Sequence, residues 1–78
     1  MGKAGQALKQ VLESYGISQN RLAVTMAIQR SNVNRWVNEM ADPAADAVLE
    51  IRDALEKIEP DAAEEFIRLY LGKSKQDD

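Results

Sequence analysis

The chain contains no cysteine and no histidine among its 78 residues. Without cysteine it can form no disulfide and no thiolate metal site, and without histidine it lacks the commonest general base and metal ligand. It also lacks a glycine-rich phosphate loop and a nucleophile placed beside a base. We therefore expect a protein that is not an enzyme, holds no metal or cofactor, and shows no evident small-molecule ligand.

Long apolar runs are also missing. The longest are a few residues, against the roughly 20 that a membrane-spanning helix needs, and the N-terminal Met-Gly-Lys-Ala-Gly-Gln has no signal-peptide core. We expect no membrane contact and a cytoplasmic location. With 45% hydrophobic and 29% charged residues, the composition predicts one small domain over residues 1–72, followed by a disordered polar tail at 73–78.

No segment shows the alternation of β-branched and polar residues that marks a strand, so the predicted fold class is all-α. Apolar residues instead recur at helical spacing in five segments. The predicted inward-facing residues are Ala4, Leu8, Val11, Leu12 and Tyr15; Leu22, Ala23 and Met26; Val33, Trp36 and Val37; and Val48, Ile51, Leu55 and Ile58. The apolar residues of the fifth segment are Ala63, Phe66, Ile67, Tyr70 and Leu71.

Local signals place the helix ends. Gly16 can supply the left-handed residue that closes the first helix, and the Ser18 hydroxyl can cap the second. Asp42-Pro43 predicts the start of the fourth helix, and Pro60 the start of a fifth that stops at Gly72.

Charge is distributed unevenly along the chain. The net charge is −3, but residues 1–40 hold five basic and two acidic residues, whereas residues 41–78 hold five basic and eleven acidic ones. No acidic residue occurs from 14 through 38. A surface that touches phosphates must avoid carboxylates, so the first half is the candidate for contact with a polyanion.

Residues 17–38 predict two short helices joined by a tight turn. Ala23 permits their close approach, Ile28 fills the turn, and Val33 and Trp36 anchor the second of the two. The outer face of that helix is then polar, consisting of Arg30, Ser31, Asn34 and Arg35.

The residues Gln19-Asn20-Arg21-Leu22-Ala23 and Val33-Asn34-Arg35-Trp36-Val37-Asn38 resemble the lambda-repressor-like helix-turn-helix family, also called the Xre or Cro/repressor family. The resemblance covers roughly residues 5–58 and includes Pro43 and the apolar residues of the fourth helix. It implies a DNA-binding domain whose third helix enters the major groove of double-stranded DNA, and a transcriptional regulator that binds as a homodimer. With the fifth helix added, the predicted fold class is a compact five-helix lambda-repressor-like domain.

The resemblance also implies roles for particular residues. Arg30, Ser31 and Arg35 match base-reading positions. Gln19 matches a position that contacts a phosphate and also supports the reading helix, and Asn38 matches a position that contacts the DNA backbone at the end of that helix. The full set of expected DNA-binding residues is Gln19, Gln29, Arg30, Ser31, Asn32, Asn34, Arg35 and Asn38. The chain departs from the family in two places: Ala27 replaces the usual turn glycine, and Val37-Asn38-Glu39 replaces the usual Glu-Asn-Gly that basic residues follow.

The fifth helix lies outside the resemblance and raises the question of assembly. We expect a dimer interface formed by Phe66, Ile67, Tyr70 and Leu71, because four helices suffice to enclose the core of the resembled domain. The alternative is that this helix folds back over the first helix of its own chain. For the whole chain, the alternative function is a protein-interaction module that uses a helix-turn-helix fold without binding DNA.

Overall fold

Residues 3–72 are described by a computed structural model, in which they form five α-helices and no strand. The helices are α1 (Lys3–Tyr15), α2 (Gln19–Met26), α3 (Arg30–Val37), α4 (Ala45–Ile58) and α5 (Pro60–Leu71). The all-helical prediction is confirmed over this range. None of these helices is long and apolar enough to cross a bilayer. The predicted disordered tail at 73–78 lies outside the described residues.

One apolar core joins all five helices. Helix α5 packs against α4 and α1, α2 packs against α3 and α4, and α1 also contacts α3. The largest side chains that are fully shielded from solvent come from every helix: Phe66, Leu8, Leu22, Ile51, Leu55, Val11 and Val33. Most of the predicted inward stripe is confirmed, but Tyr15 is 38% exposed and Trp36 is only half-buried against the core.

The fifth helix corrects the expected dimer interface. Phe66 is 0% exposed and stacks on Tyr70 with ring centroids 6.3 Å apart, so it belongs to the core of its own subunit. The expectation that Phe66 faces a partner is therefore wrong, because α5 packs back onto α1 and α4. Ile67 and Tyr70 are half-buried and Leu71 is 62% exposed; whether these three contact a second copy stays a prediction.

The start of α4 also differs from the prediction. Pro43 does not open this helix, which begins at Ala45 after Ala44 in an extended conformation. Pro43 is instead buried in the loop 38–44. By contrast, Pro60 opens α5 as predicted, and the Ser18 hydroxyl caps α2 by accepting a hydrogen bond from the Arg21 backbone N–H at 2.9 Å.

Three of the helices end in the same backbone motif. A residue with positive φ lies just beyond each of α1, α2 and α3: Gly16 (65°) and Ala27 (62°) come directly after their helices, and Glu39 (59°) comes after Asn38. The next N–H then donates to the carbonyl five residues earlier: Ile17 to Leu12, Ile28 to Ala23 and Met40 to Arg35. This geometry favours glycine, which only the first site has.

We expect Ala27→Gly and Glu39→Gly each to raise the free energy of unfolding by about 0.5–1 kcal/mol. Glycine relieves the left-handed strain, and this gain exceeds the extra entropy of the unfolded chain. Urea denaturation of each variant measures the change. Ala47→Gly, inside α4, is the matched control and should destabilise the fold by a similar amount. A loss of stability at Ala27→Gly equal to that of Ala47→Gly would contradict the prediction.

Candidate nucleic-acid interface

Helix α3 is held to the domain by one side and leaves the other in solvent. Val33 and Val37 are buried, at 0% and 6% exposure. At about 100° per residue, Arg35 lies on the opposite side of the helix from the midpoint of these two valines. Arg35 is therefore the side chain that points most directly away from the core.

The other predicted site residues are arranged around Arg35. Ser31, one turn earlier, lies about 40° from it, and Asn32 lies about 60° away on the other side. Ser31 is exposed and Asn32 is half-buried. Arg30 and Asn34 are exposed but lie on the flank of α3 nearer the buried valines. The outer face predicted from the sequence therefore has a centre, formed by Ser31 and Arg35, and a flank, formed by Arg30 and Asn34.

A hydrogen bond between side chains joins this flank to α2. The Asn34 amide Nδ2 donates to Gln19 Oε1 at 3.3 Å. Gln19 is the first residue of α2, immediately after the Ser18 cap, and is half-buried. Helices α2 and α3 are thus joined through polar side chains on the same surface.

Gln29 and Asn38 mark the two ends of α3. Gln29 precedes the helix in an extended conformation and makes no capping hydrogen bond with its side chain, whereas Asn38 follows the helix. Both side chains are exposed. Each is available to a ligand that lies along α3.

A second side-chain contact on α3 was missed by the sequence reasoning. Arg35 Nη2 donates to Asn32 Oδ1 at 2.8 Å. The signal was present, because residues three apart on a helix are neighbours, but both were assigned only as separate contacts to DNA. The hydrogen bond uses one of the five N–H donors of the guanidinium group and leaves the others for a ligand.

The charges of this surface are not neutralised internally. Within residues 3–72, Arg21, Arg30 and Arg35 form no ion pair with a carboxylate. Two arginines in the acidic second half of the chain do form ion pairs: Arg52 pairs with Asp53 at 3.0 Å, and Arg68 pairs with Glu65 at 2.6 Å. The surface of α2 and α3 therefore presents positive charge without a competing acid.

Comparison with known proteins shows a likeness to a regulatory protein. The chain is 35% identical over 52 residues to a protein of Methanocaldococcus jannaschii provisionally named as an HTH-type transcriptional regulatory protein. The match covers 67% of this chain and 16% of that protein's length. No family profile and no solved structure matches the chain. The likeness supports a relationship to helix-turn-helix regulators, with which the five-helix fold is compatible.

Proposed function

We propose that this chain is a lambda-repressor-like transcriptional regulator that binds double-stranded DNA sequence-specifically and inserts α3 into the major groove. The observation that carries the proposal is the exposed polar side of α3, centred on Arg35 opposite two buried valines, in a segment free of carboxylates from residue 14 through 38. The major groove of B-DNA admits one α-helix, and arginine can donate two hydrogen bonds to O6 and N7 of guanine.

The proposed contacts fall into two classes. Ser31 and Arg35 at the centre of α3 read base edges, and Asn32 lies beside Arg35 next to the groove. Arg30 and Asn34 lie on the flank and reach the groove wall or the neighbouring base. The polar residues at the helix ends, Gln19, Gln29 and Asn38, contact phosphates and fix the position of α3 along the duplex.

Selection of bound sequences from random duplexes should yield a preferred site, on which the arginines can be tested. Arg35→Ala and Arg30→Ala should each weaken binding to that site by about 1–3 kcal/mol, and Arg35→Ala should relax the preference at one base pair. Fluorescence anisotropy measures both effects. Arg52→Ala on α4 is the matched control and should bind as the parent does. If Arg35→Ala keeps the parent's affinity and preference, α3 is not the reading helix.

A salt titration separates this proposal from the alternative of a protein-interaction module, which the acidic second half of the chain favours. Each phosphate neutralised by lysine or arginine adds about 0.9 to the slope of log affinity against log salt. We expect a clear negative slope for the parent with DNA, and a shallower negative slope for Arg30→Ala. A regulator of this type is expected to act as a two-fold dimer on paired half-sites; light scattering tests that prediction.

A further inference from the structure

Asn32 and Arg35 are joined by a hydrogen bond between their side chains. Asn32 Oδ1 accepts this hydrogen bond from Arg35 Nη2 at 2.8 Å. Asn32 is half-buried, on the same flank of α3 as the half-buried Trp36 one turn later. A half-buried amide has fewer rotamers open to it than a fully exposed one, so its acceptor oxygen stays near Arg35 for more of the time.

The Asn32–Arg35 hydrogen bond affects DNA recognition because the arginine side chain is long and flexible. A long side chain that is ordered only on binding loses rotamer entropy at that moment, and this loss weakens the contact. An arginine that a neighbouring side chain already fixes loses less rotamer entropy on binding, and its planar guanidinium group is oriented before it meets the DNA. This loss of rotamer entropy should be largest for Arg35, because Arg35 points directly away from the core and forms no ion pair with a carboxylate in residues 3–72.

From this geometry we infer that Asn32 is a positioning residue: it orients the Arg35 guanidinium so that the pair reads one base pair, a guanine, as a unit. This inference rests on the proposed function of α3. Asn34 is fixed by a different partner, Gln19 on α2, so the two polar contacts hold different parts of the same surface.

The test compares four variants on the selected duplex and on duplexes changed at the base pair to which Arg35 is sensitive. Asn32→Ala should lower the discrimination at that base pair about tenfold, as Arg35→Ala does, and the double variant should be no worse than Arg35→Ala alone. Asn32→Asp keeps an acceptor for the guanidinium, so it should retain the discrimination while binding every duplex more weakly through repulsion of phosphates. Asn38→Ala is the matched control and should weaken binding to all duplexes equally.

A measurement without DNA tests the positioning directly. In the free protein, the heteronuclear NOE of Arg35 Nε should fall in Asn32→Ala and persist in Asn32→Asp and Asn38→Ala. Full discrimination by Asn32→Ala, additive losses in the double variant, or an unchanged NOE would overturn the inference. A parent with an ordered Arg35 that binds no duplex would instead overturn the proposed function and leave the positioning role standing.

Discussion

Phe66→Ala should lower the free energy of unfolding by about 3–5 kcal/mol. The ring is 0% exposed, and α5, on which it lies, packs against both α1 and α4, so its removal leaves a cavity in the core that joins them. Such a loss is a large part of the total stability of a small domain. Urea denaturation followed by circular dichroism measures it, and DNA binding should fall only in proportion to the unfolded fraction.

Leu49→Ala, on the neighbouring α4, is the matched control. The Leu49 side chain is 51% exposed, and we expect a change in the free energy of unfolding within about 0.5 kcal/mol. If Phe66→Ala changed the mass measured by light scattering while the folded state kept its stability, the packing of α5 described above would be wrong and the ring would lie between subunits.

The error over Phe66 shows what periodicity can and cannot predict. The spacing of Phe66, Ile67 and Tyr70 correctly indicated a helix with one apolar side, since helical spacing depends only on local geometry. Which surface covers that side depends on the path of the chain between elements. The short turn at Glu59, between α4 and α5, returns the chain against α1, and no single-residue signal encodes this.

The candidate site was more predictable than the packing. Because Val33 and Val37 face inward, the exposure of Ser31 and Arg35 follows from helical geometry alone. The resemblance places Ala27 where the family has a turn glycine, and the φ of 62° at Ala27 is in the left-handed region that favours glycine. The Asn32–Arg35 hydrogen bond was not anticipated, because rotamers at exposed positions depend on neighbours whose burial must be known first.

Gly5 is the position that the sequence reasoning overlooked, and its substitution carries the second large effect. A Cβ added at Gly5 would overlap the backbone carbonyl oxygen of Trp36. Glycine inside a helix normally costs about 1 kcal/mol relative to alanine, so its presence in α1 suggests that close approach to α3 outweighs propensity. The obstacle is backbone rather than the end of a flexible side chain, so α3 itself must move to accept the added methyl group.

Gly5→Ala should therefore destabilise the domain by about 1–3 kcal/mol, the cost of overpacking, even though alanine favours the helix. Gly16→Ala is the matched control: nothing lies within 4 Å of its Cβ, and its φ of 65° limits the expected loss to about 1 kcal/mol. The two variants should differ most in their effect on the position of α3. Amide chemical shifts from residue 30 to 38 should move in Gly5→Ala and stay in Gly16→Ala, and only the former should weaken binding to the preferred duplex beyond its unfolded fraction. A Gly5→Ala variant with the parent's stability and the parent's α3 chemical shifts would mean that the distance between α1 and α3 does not set the position of α3.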